Sequence, residues 1–157
     1  HEVRSKRGLA YSAGSRFGSN AFARDEFYAF AQSKADAYST SLDLIVKQIK
    51  RMKTEGPTAE EVKKAVDSYL NSKVFDYENK SQVIYRLVRL RFEGRPLDTP
   101  EKDMETYSKL TADDIRRVAK KYLHPEDLTV FVLGNAKLFD RPLSTFGKVT
   151  EIDLEEE

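Results

Sequence analysis

The spacing of apolar residues changes along this chain from alternation to a helical repeat, and that change constrains the fold most. Residues 9–15 alternate large and small side chains, and residues 27–32 are dense in apolar groups, so both stretches predict strands. We expect the second strand to be covered on both faces. From about Asp36, apolar residues recur every three or four positions, which predicts an amphipathic helix. Its stripe consists of Leu42, Ile45, Val46, Ile49 and Met52.

Four more helices are predicted after the first one stops at Gly56-Pro57. Thr58 and Glu61 have the spacing of a capping box, which starts the second helix. The third spans about 81–92, the fourth begins at Thr99-Pro100, and Thr111 caps the fifth. Apolar side chains of the third and fifth helices are expected to face inward and the arginines outward. The inward set is Val83, Ile84, Leu87, Val88 and Leu90, then Ile115, Val118, Ala119 and Tyr122, and the outward set is Arg86, Arg89 and Arg91.

The chain returns to a strand pattern near its carboxy terminus. Residues 128–133, Leu-Thr-Val-Phe-Val-Leu, are the strongest predicted strand, and residues 148–153 form a short further candidate. Strands, then a block of helices, then a strand predict an α+β fold, a mostly antiparallel sheet with helices packed on one face. We expect a single domain over 1–154, followed by an acidic tail at 155–157.

Composition excludes several classes of protein. The 157 residues include 27 Lys and Arg against 26 Asp and Glu, so no general attraction to nucleic acid is expected. There is no cysteine, which excludes disulfides, thiolate metal sites and cysteine nucleophiles. No apolar run approaches the roughly 20 residues that cross a bilayer.

No complete catalytic apparatus is encoded. A hydrolytic zinc site usually needs two histidines on one helix, whereas this chain has only His1 and His124, far apart. Neither His-Glu-x-x-His nor the inverted His-x-x-Glu-His is present, and neither histidine accompanies a Gly-x-Ser-x-Gly turn. We assign His124 to the free carbonyls at a helix end. Metal ligands and catalytic residues are therefore both predicted to be absent from this chain.

Residues 2–15, Glu-Val-Arg-Ser-Lys-Arg-Gly-Leu-Ala-Tyr-Ser-Ala-Gly-Ser, resemble the second half of insulinase/pitrilysin-type zinc metallopeptidases, the family that includes mitochondrial processing peptidase. Further similar stretches occur in the same order along the chain. They are residues 56–62, which resemble the link between the family's two long helices, and residues 110–115, 121–125 and 130–134, which resemble its closing pattern.

The resemblance implies a carboxy-terminal, non-zinc-binding domain that pairs with a homologous zinc-bearing domain or subunit. In the family, this half contributes an arginine and a tyrosine to the bound peptide, and the matching positions are Arg4 and Tyr11. The chain would hold no cofactor itself, with zinc expected in the partner domain, and would be inactive alone. The resemblance favours a bacterial protein in the periplasm over the cytoplasm. No nucleic acid or membrane span is implied.

Several alternatives to this interpretation stay open. An arginine in a last helical turn can serve the helix dipole alone, and a strand tyrosine is usually a core residue. The same fold forms purely structural subunits in respiratory-complex core proteins, and an exposed sheet edge could instead bind peptides by β-augmentation. We expect an amino-terminally truncated domain, without the first strands and helix of a family half. Surface that they would cover is then exposed, and a homo-oligomer is a further alternative.

Overall fold

A computed structural model describes residues 10–18, 22 and 25–152 of the chain. The chain divides into two compact units by its internal contacts. The first unit comprises residues 1–17, 27–47 and 127–157, and the second comprises residues 18–26 and 48–126.

The described residues form two strands and five α-helices, which confirms the α+β fold class. The elements are β1 (Ala10–Phe17), β2 (Phe27–Ser33), α1 (Tyr38–Thr54), α2 (Ala59–Ser72), α3 (Lys80–Phe92), α4 (Thr99–Ser108) and α5 (Ala112–Tyr122). Short 3-10 helices lie at Ala35–Ala37, Lys73–Tyr77, Ala136–Leu138 and Leu143–Thr145. Among these residues, no helix is long and apolar enough to span a membrane.

In the first unit, β1 and β2 pair antiparallel, and α1 covers one face of this pair. Leu44 of α1 is buried with Ala10 of β1, and Ala13 and Ala31 pack against them. Small alanines in the strands let the helix approach closely. Leu44 lies outside the predicted apolar stripe of α1, because the position of the sheet also decides which residues of the helix are buried. Ile49 of the predicted stripe is buried as well.

The second face of the strand pair is open, so the prediction that β2 is covered on both faces is wrong. Tyr28 and Phe30 are 47% and 39% exposed. Burial along β2 alternates residue by residue, as expected when only one face of a strand packs. Phe30 lies opposite Gly14, where a Cβ atom would come within 3.2 Å of the phenyl ring. Gly14 therefore allows the ring to lie against the neighbouring strand.

The segment after residue 138 is attached to the amino-terminal end of α1. The buried Ser39 hydroxyl donates to Asp140 Oδ2 at 2.6 Å, and the Ser39 backbone N–H donates to Asp140 Oδ1 at 3.3 Å. The Tyr38 hydroxyl donates to the Arg141 carbonyl, and the Tyr38 ring lies 4.5 Å from that of Phe139. Asp140 thus caps α1, although it lies about a hundred residues away in the sequence. A carboxylate suits this place because the amino terminus of a helix carries free N–H groups and a partial positive charge.

The helices of the second unit begin where the sequence predicts. Thr58 and Glu61 form a reciprocal capping box at α2, and Thr111 with Asp114 forms another at α5. Gly56 precedes the first box with a φ of 77°, a conformation that favours glycine. These starts were predictable because caps depend on residues within one turn of the helix.

The predicted inward faces of α3 and α5 are partly wrong. In α3 only Leu90 is fully buried, whereas Ile84 and Val88 are 62% and 61% exposed. In α5, Ala119 is buried but Val118 and Tyr122 are 44% and 61% exposed. Charge also contributes to the contacts of α3. Arg86 was predicted to point outward, but it is half-buried, and its guanidinium pairs with the Asp76 carboxylate at 2.9 Å. The helical repeat locates an apolar stripe but does not determine which part of it packs.

The strongest predicted strand, residues 128–133, does not form a strand, and neither do residues 148–152. Among the described residues, the sheet has only β1 and β2, and this segment pairs with neither. A strand requires a neighbour for its hydrogen bonds, and the apolar pattern of the segment cannot supply one. The remaining predicted positions here, residues 153 and 155–157, lie outside the described residues.

Candidate functional site

Tyr11 lies at an irregularity in β1. Ala10 pairs with Ser33 and Ser12 pairs with Gln32, which leaves Tyr11 as an extra residue in the ladder, as in a β-bulge. The bulge changes the alternation of faces, so that Ala10 stays in the core while Ser12 pairs on the opposite face. Bulges often redirect a side chain next to a functional site.

The Tyr11 side chain is 85% exposed. None of the hydrogen bonds or ring contacts within the described part of the chain involves its phenol. A tyrosine with a structural role normally buries its ring and satisfies its hydroxyl in the protein. Tyr11 does neither, so its apolar ring and its donor are both available to a ligand.

Polar and aromatic side chains lie farther along the same two strands, on the open face of the strand pair. Arg16 is opposite Tyr28, and Phe30 lies over Gly14 on the same face. We call this surface, defined by Gly14, Arg16, Tyr28 and Phe30, the open sheet face. It was missed from the sequence because β2 was predicted to be covered on both sides. Alternation of aromatic and small residues at 28–31 was the signal that could have revealed it.

Arg4, the second predicted site residue, lies outside the described residues. The structural geometry therefore bears on Tyr11 alone. The pairing of the arginine with the tyrosine at one site stays a prediction.

Histidine placement does not fit a hydrolytic zinc site in this chain. The five described α-helices contain no histidine, whereas the inverted motif needs two on one helix. His124 follows α5 and lies 3.5 Å from Glu126 through its Nδ1 atom. It pairs with that exposed carboxylate instead of the free helix carbonyls to which its place in the sequence assigned it. Lys53, at 2.8 Å from the same carboxylate, contributes most to lowering the pKa of Glu126.

A basic depression lies along α5 in the second unit. Arg116, Arg117, Lys120 and Lys121 line it together with Asp113. Arg117 pairs with Asp114 at 3.4 Å, and the Lys121 ammonium lies 5.0 Å from the Tyr122 ring centroid. The residues that line the depression recur on one helix at three- and four-residue spacing, which is the ordinary arrangement of a solvated helix face.

Comparison with known proteins shows what this chain is similar to. Residues 1–69 match the sequence model of the peptidase M16 inactive domain. The crystal structure of a peptidase M16 inactive domain from Pseudomonas fluorescens is similar, with a TM-score of 0.70 and 27% sequence identity. The similarity covers 79% of this chain and 29% of that chain, so this chain spans under a third of the solved one. No curated protein matches this chain.

The fold and the sequence match define the class as a non-catalytic half of a peptidase-like protein. More particularly, residues 1–69 of this chain are similar to the peptidase M16 inactive domain, in agreement with the resemblance of residues 2–15 to the carboxy-terminal half of insulinase-type peptidases. The match over residues 1–69 includes both predicted site positions, Arg4 and Tyr11.

Proposed function

We propose that this domain binds peptide substrates and positions them for a zinc-bearing homologous domain, through Arg4 and Tyr11. The observation that carries the proposal is the state of Tyr11, a tyrosine 85% exposed at a break in the β1 ladder. The side chain is not used by the fold. Its position within the segment that matches the inactive-domain family supports a role in that family's task.

The chemistry of the two groups suits a peptide bond under attack. A phenol can donate a hydrogen bond to the carbonyl oxygen that becomes negative in the tetrahedral intermediate. A guanidinium offers several donors in a fixed plane, which orients a peptide carbonyl or a carboxylate. Arg4 and Tyr11 would therefore act on a bond that another domain cleaves.

The open sheet face would contact the rest of the peptide. Tyr28 and Phe30 present aromatic rings that are 47% and 39% exposed, and Arg16 adds a cation beside them. Exposed aromatic side chains with a neighbouring arginine are enriched where proteins bind other chains. Binding energy from this surface would hold a substrate while Tyr11 contacts its reacting part.

Zinc belongs to the partner in this proposal. The described helices of this chain carry no histidine, so they do not hold the inverted motif that the zinc of this family needs. The partner is a homologous domain with the inverted histidine motif, in the same polypeptide or in another subunit. Alone, the chain is expected to hydrolyse no peptide.

The direct test removes the Tyr11 hydroxyl while the ring remains. In the complete peptidase, with the zinc-bearing half present, Tyr11→Phe should lower kcat about a hundredfold, the usual effect of losing one oxyanion donor. Tyr85→Phe is the matched control, because Tyr85 is 71% exposed and lies on α3 in the second unit. Equal kcat in the wild type and Tyr11→Phe would overturn the assignment of Tyr11.

Arg4→Ala separates the proposal from the structural-subunit alternative. A positioning role predicts lower kcat/KM with unchanged assembly of the two halves, because the lost donors contact substrate. A purely structural subunit predicts that neither Arg4→Ala nor Tyr11→Phe changes turnover, and that the partner half lacks a zinc motif. Size-exclusion chromatography of the assembled variant gives the assembly readout.

A further inference from the structure

The open sheet face carries a cation, Arg16, near the end of β1. The Arg16 side chain is exposed, and within the described residues it forms no hydrogen bond, ion pair or ring contact. Its neighbour across the ladder is Tyr28, whose ring is uncharged at neutral pH. A guanidinium that no described carboxylate engages keeps its five donors for a ligand.

The polar composition of the strand pair's open side opposes its burial inside a domain. The opposite side, which faces α1, carries alanines that pack with Leu44. On the open side, Ser12 pairs with Gln32, and Arg16 follows two pairs further along. Removing an arginine from water without a carboxylate beside it is strongly unfavourable. Arg16 therefore stays in contact with water or with a group of opposite charge, whatever packs on the rest of the sheet.

Two aromatic rings extend the surface beside Arg16. The ring centroids of Tyr28 and Phe30 are 6.3 Å apart, and the two ring planes are tilted by 38°. Phe30 is opposite Gly14, where the missing side chain leaves room for the ring against β1. Side chains on one face of an extended peptide also recur at about 7 Å, every second residue. The cation and the Phe30 ring therefore suit two alternate side chains of one bound peptide.

We propose that Arg16 selects peptide substrates that carry an acidic side chain, with an apolar side chain two residues nearer the cleaved bond lying on Phe30. This inference rests on the proposed function, because it takes Tyr11 as the contact with the reacting bond. Gly14, opposite Phe30, is three residues from Tyr11, and Arg16 is five residues from it. At about 3.3 Å a residue, the two subsites lie about 10 and 16 Å from Tyr11 along β1. An extended peptide along β1 would therefore carry its acidic side chain about five residues from the cleaved bond.

Matched peptides test the acidic subsite in the complete peptidase, with the zinc-bearing half present. Each peptide carries Glu, Gln or Lys at a single position, and the position is moved along both sides of the cleaved bond. At about the fifth residue on one side, Glu should give a kcat/KM about fivefold higher than Gln, the upper range for an exposed ion pair. The difference should lie in KM, because the contact is far from the reacting bond, and it should shrink in about 1 M salt. A series in which Glu is favoured at no position would overturn the proposal.

Charge reversal tests whether the preference comes from Arg16. Arg16→Gln should abolish the discrimination between the Glu and Gln peptides, and Arg16→Glu should favour the Lys peptide instead, because the attraction changes sign. A residue that only supports the fold would change kcat/KM for all three peptides by the same factor. Lys47→Glu is the matched control, since Lys47 is an exposed cation on α1 in the same unit. Loss of the preference for Glu in this control would indicate an effect of net charge and would overturn the assignment to Arg16.

The role of Arg16 and the role of Tyr11 hold or fail separately. Tyr11→Phe should lower kcat for the Glu, Gln and Lys peptides by the same factor and leave their order unchanged. If Arg16→Glu keeps the order of the wild type, the acidic subsite is wrong, whatever Tyr11→Phe does to kcat. If Arg16→Glu reverses the order while Tyr11→Phe leaves kcat unchanged, the acidic subsite holds and the assignment of Tyr11 is wrong. Circular dichroism of each variant checks that its helices are retained.

Discussion

Two glycines in left-handed turns show how a single residue can be required for two different reasons. Gly56 and Gly94 have φ values of 77° and 68°. A Cβ atom on Gly56 would lie 2.8 Å from Arg116 Cβ, whereas nothing lies within 4 Å of one on Gly94. The backbone requirement is shared by the two positions, but the steric requirement belongs to Gly56 alone.

Gly94→Ala is expected to lower the free energy of unfolding by about 1 kcal/mol, the cost of a left-handed conformation for alanine. Gly56→Ala should cost about 2 kcal/mol or more, because the Arg116 stem must also move. Urea unfolding of both variants measures the difference. Equal losses would show that the contact at Gly56 relaxes without cost.

At the scale of the element, the capping box of α2 combines hydrogen bonding with charge. The Thr58 backbone N–H donates to Glu61 Oε2 at 2.8 Å, and the Glu61 N–H donates to Thr58 Oγ1 at 3.1 Å. Arg51 adds an ion pair to Glu61 at 3.0 Å. The backbone hydrogen bond from Thr58, then the bond from Arg51, lower the pKa of Glu61.

Thr58→Ala should reduce the free energy of unfolding by about 1 kcal/mol, because an N-cap acceptor is lost. Thr111→Ala at the matching box of α5 is the comparison, and a similar loss is expected there. Thermal unfolding of both variants, followed by the circular dichroism of their helices, measures the two losses of stability. A loss at neither position would mean that water replaces the caps without cost.

The lowered pKa of Glu61 gives a dependence of stability on pH. The carboxylate binds a proton more readily in the unfolded chain, so its stabilising effect is complete above the ordinary glutamate pKa of about 4.3 and is lost as pH falls through the lower folded value. Glu61→Gln keeps a capping box but removes the titration. Stability of this variant should therefore fall less steeply below about pH 4.3 than that of the wild type. Equal slopes would contradict the assigned cause.

For the whole molecule, the contact between Asp140 and Ser39 joins segments that are 101 residues apart in sequence. The bond from the Ser39 hydroxyl contributes most to lowering the pKa of Asp140. The Tyr38 hydroxyl and the 4.5 Å ring contact with Phe139 add to the same attachment. The path of residues 139–146 therefore depends on the amino-terminal end of α1.

Asp140→Ala should release this segment, because Ser39 and the helix terminus lose their acceptor. Hydrogen exchange should quicken at Phe139, Thr145 and Phe146, whose amides donate to carbonyls three residues earlier in the chain. Glu151→Ala, which removes an exposed carboxylate in the same unit, is the control. Unchanged exchange in Asp140→Ala would show that the aromatic contacts hold the segment without the carboxylate.

The helices and their starts could be predicted from the sequence, because the features that form them are local. Thr58, Thr111 and Gly56-Pro57 act within one turn, and the stripe of α1 repeats within a few residues. The candidate site was reached differently, through the resemblance of residues 2–15 to a family, and only Tyr11 falls within the described residues. Its exposure agrees with the assignment but does not test it.

Tertiary structure alone decided which apolar surfaces are covered. Residues 128–133 have the strongest strand pattern, yet no described strand lies beside them, because a strand's partner is distant in sequence and its pattern cannot create one. For the same reason the repeat of α3 did not show that Leu90 packs while Ile84 is exposed. The sequence by itself determined the local elements and the resemblance to a family. Their partners depend on contacts between distant segments, which no local pattern encodes.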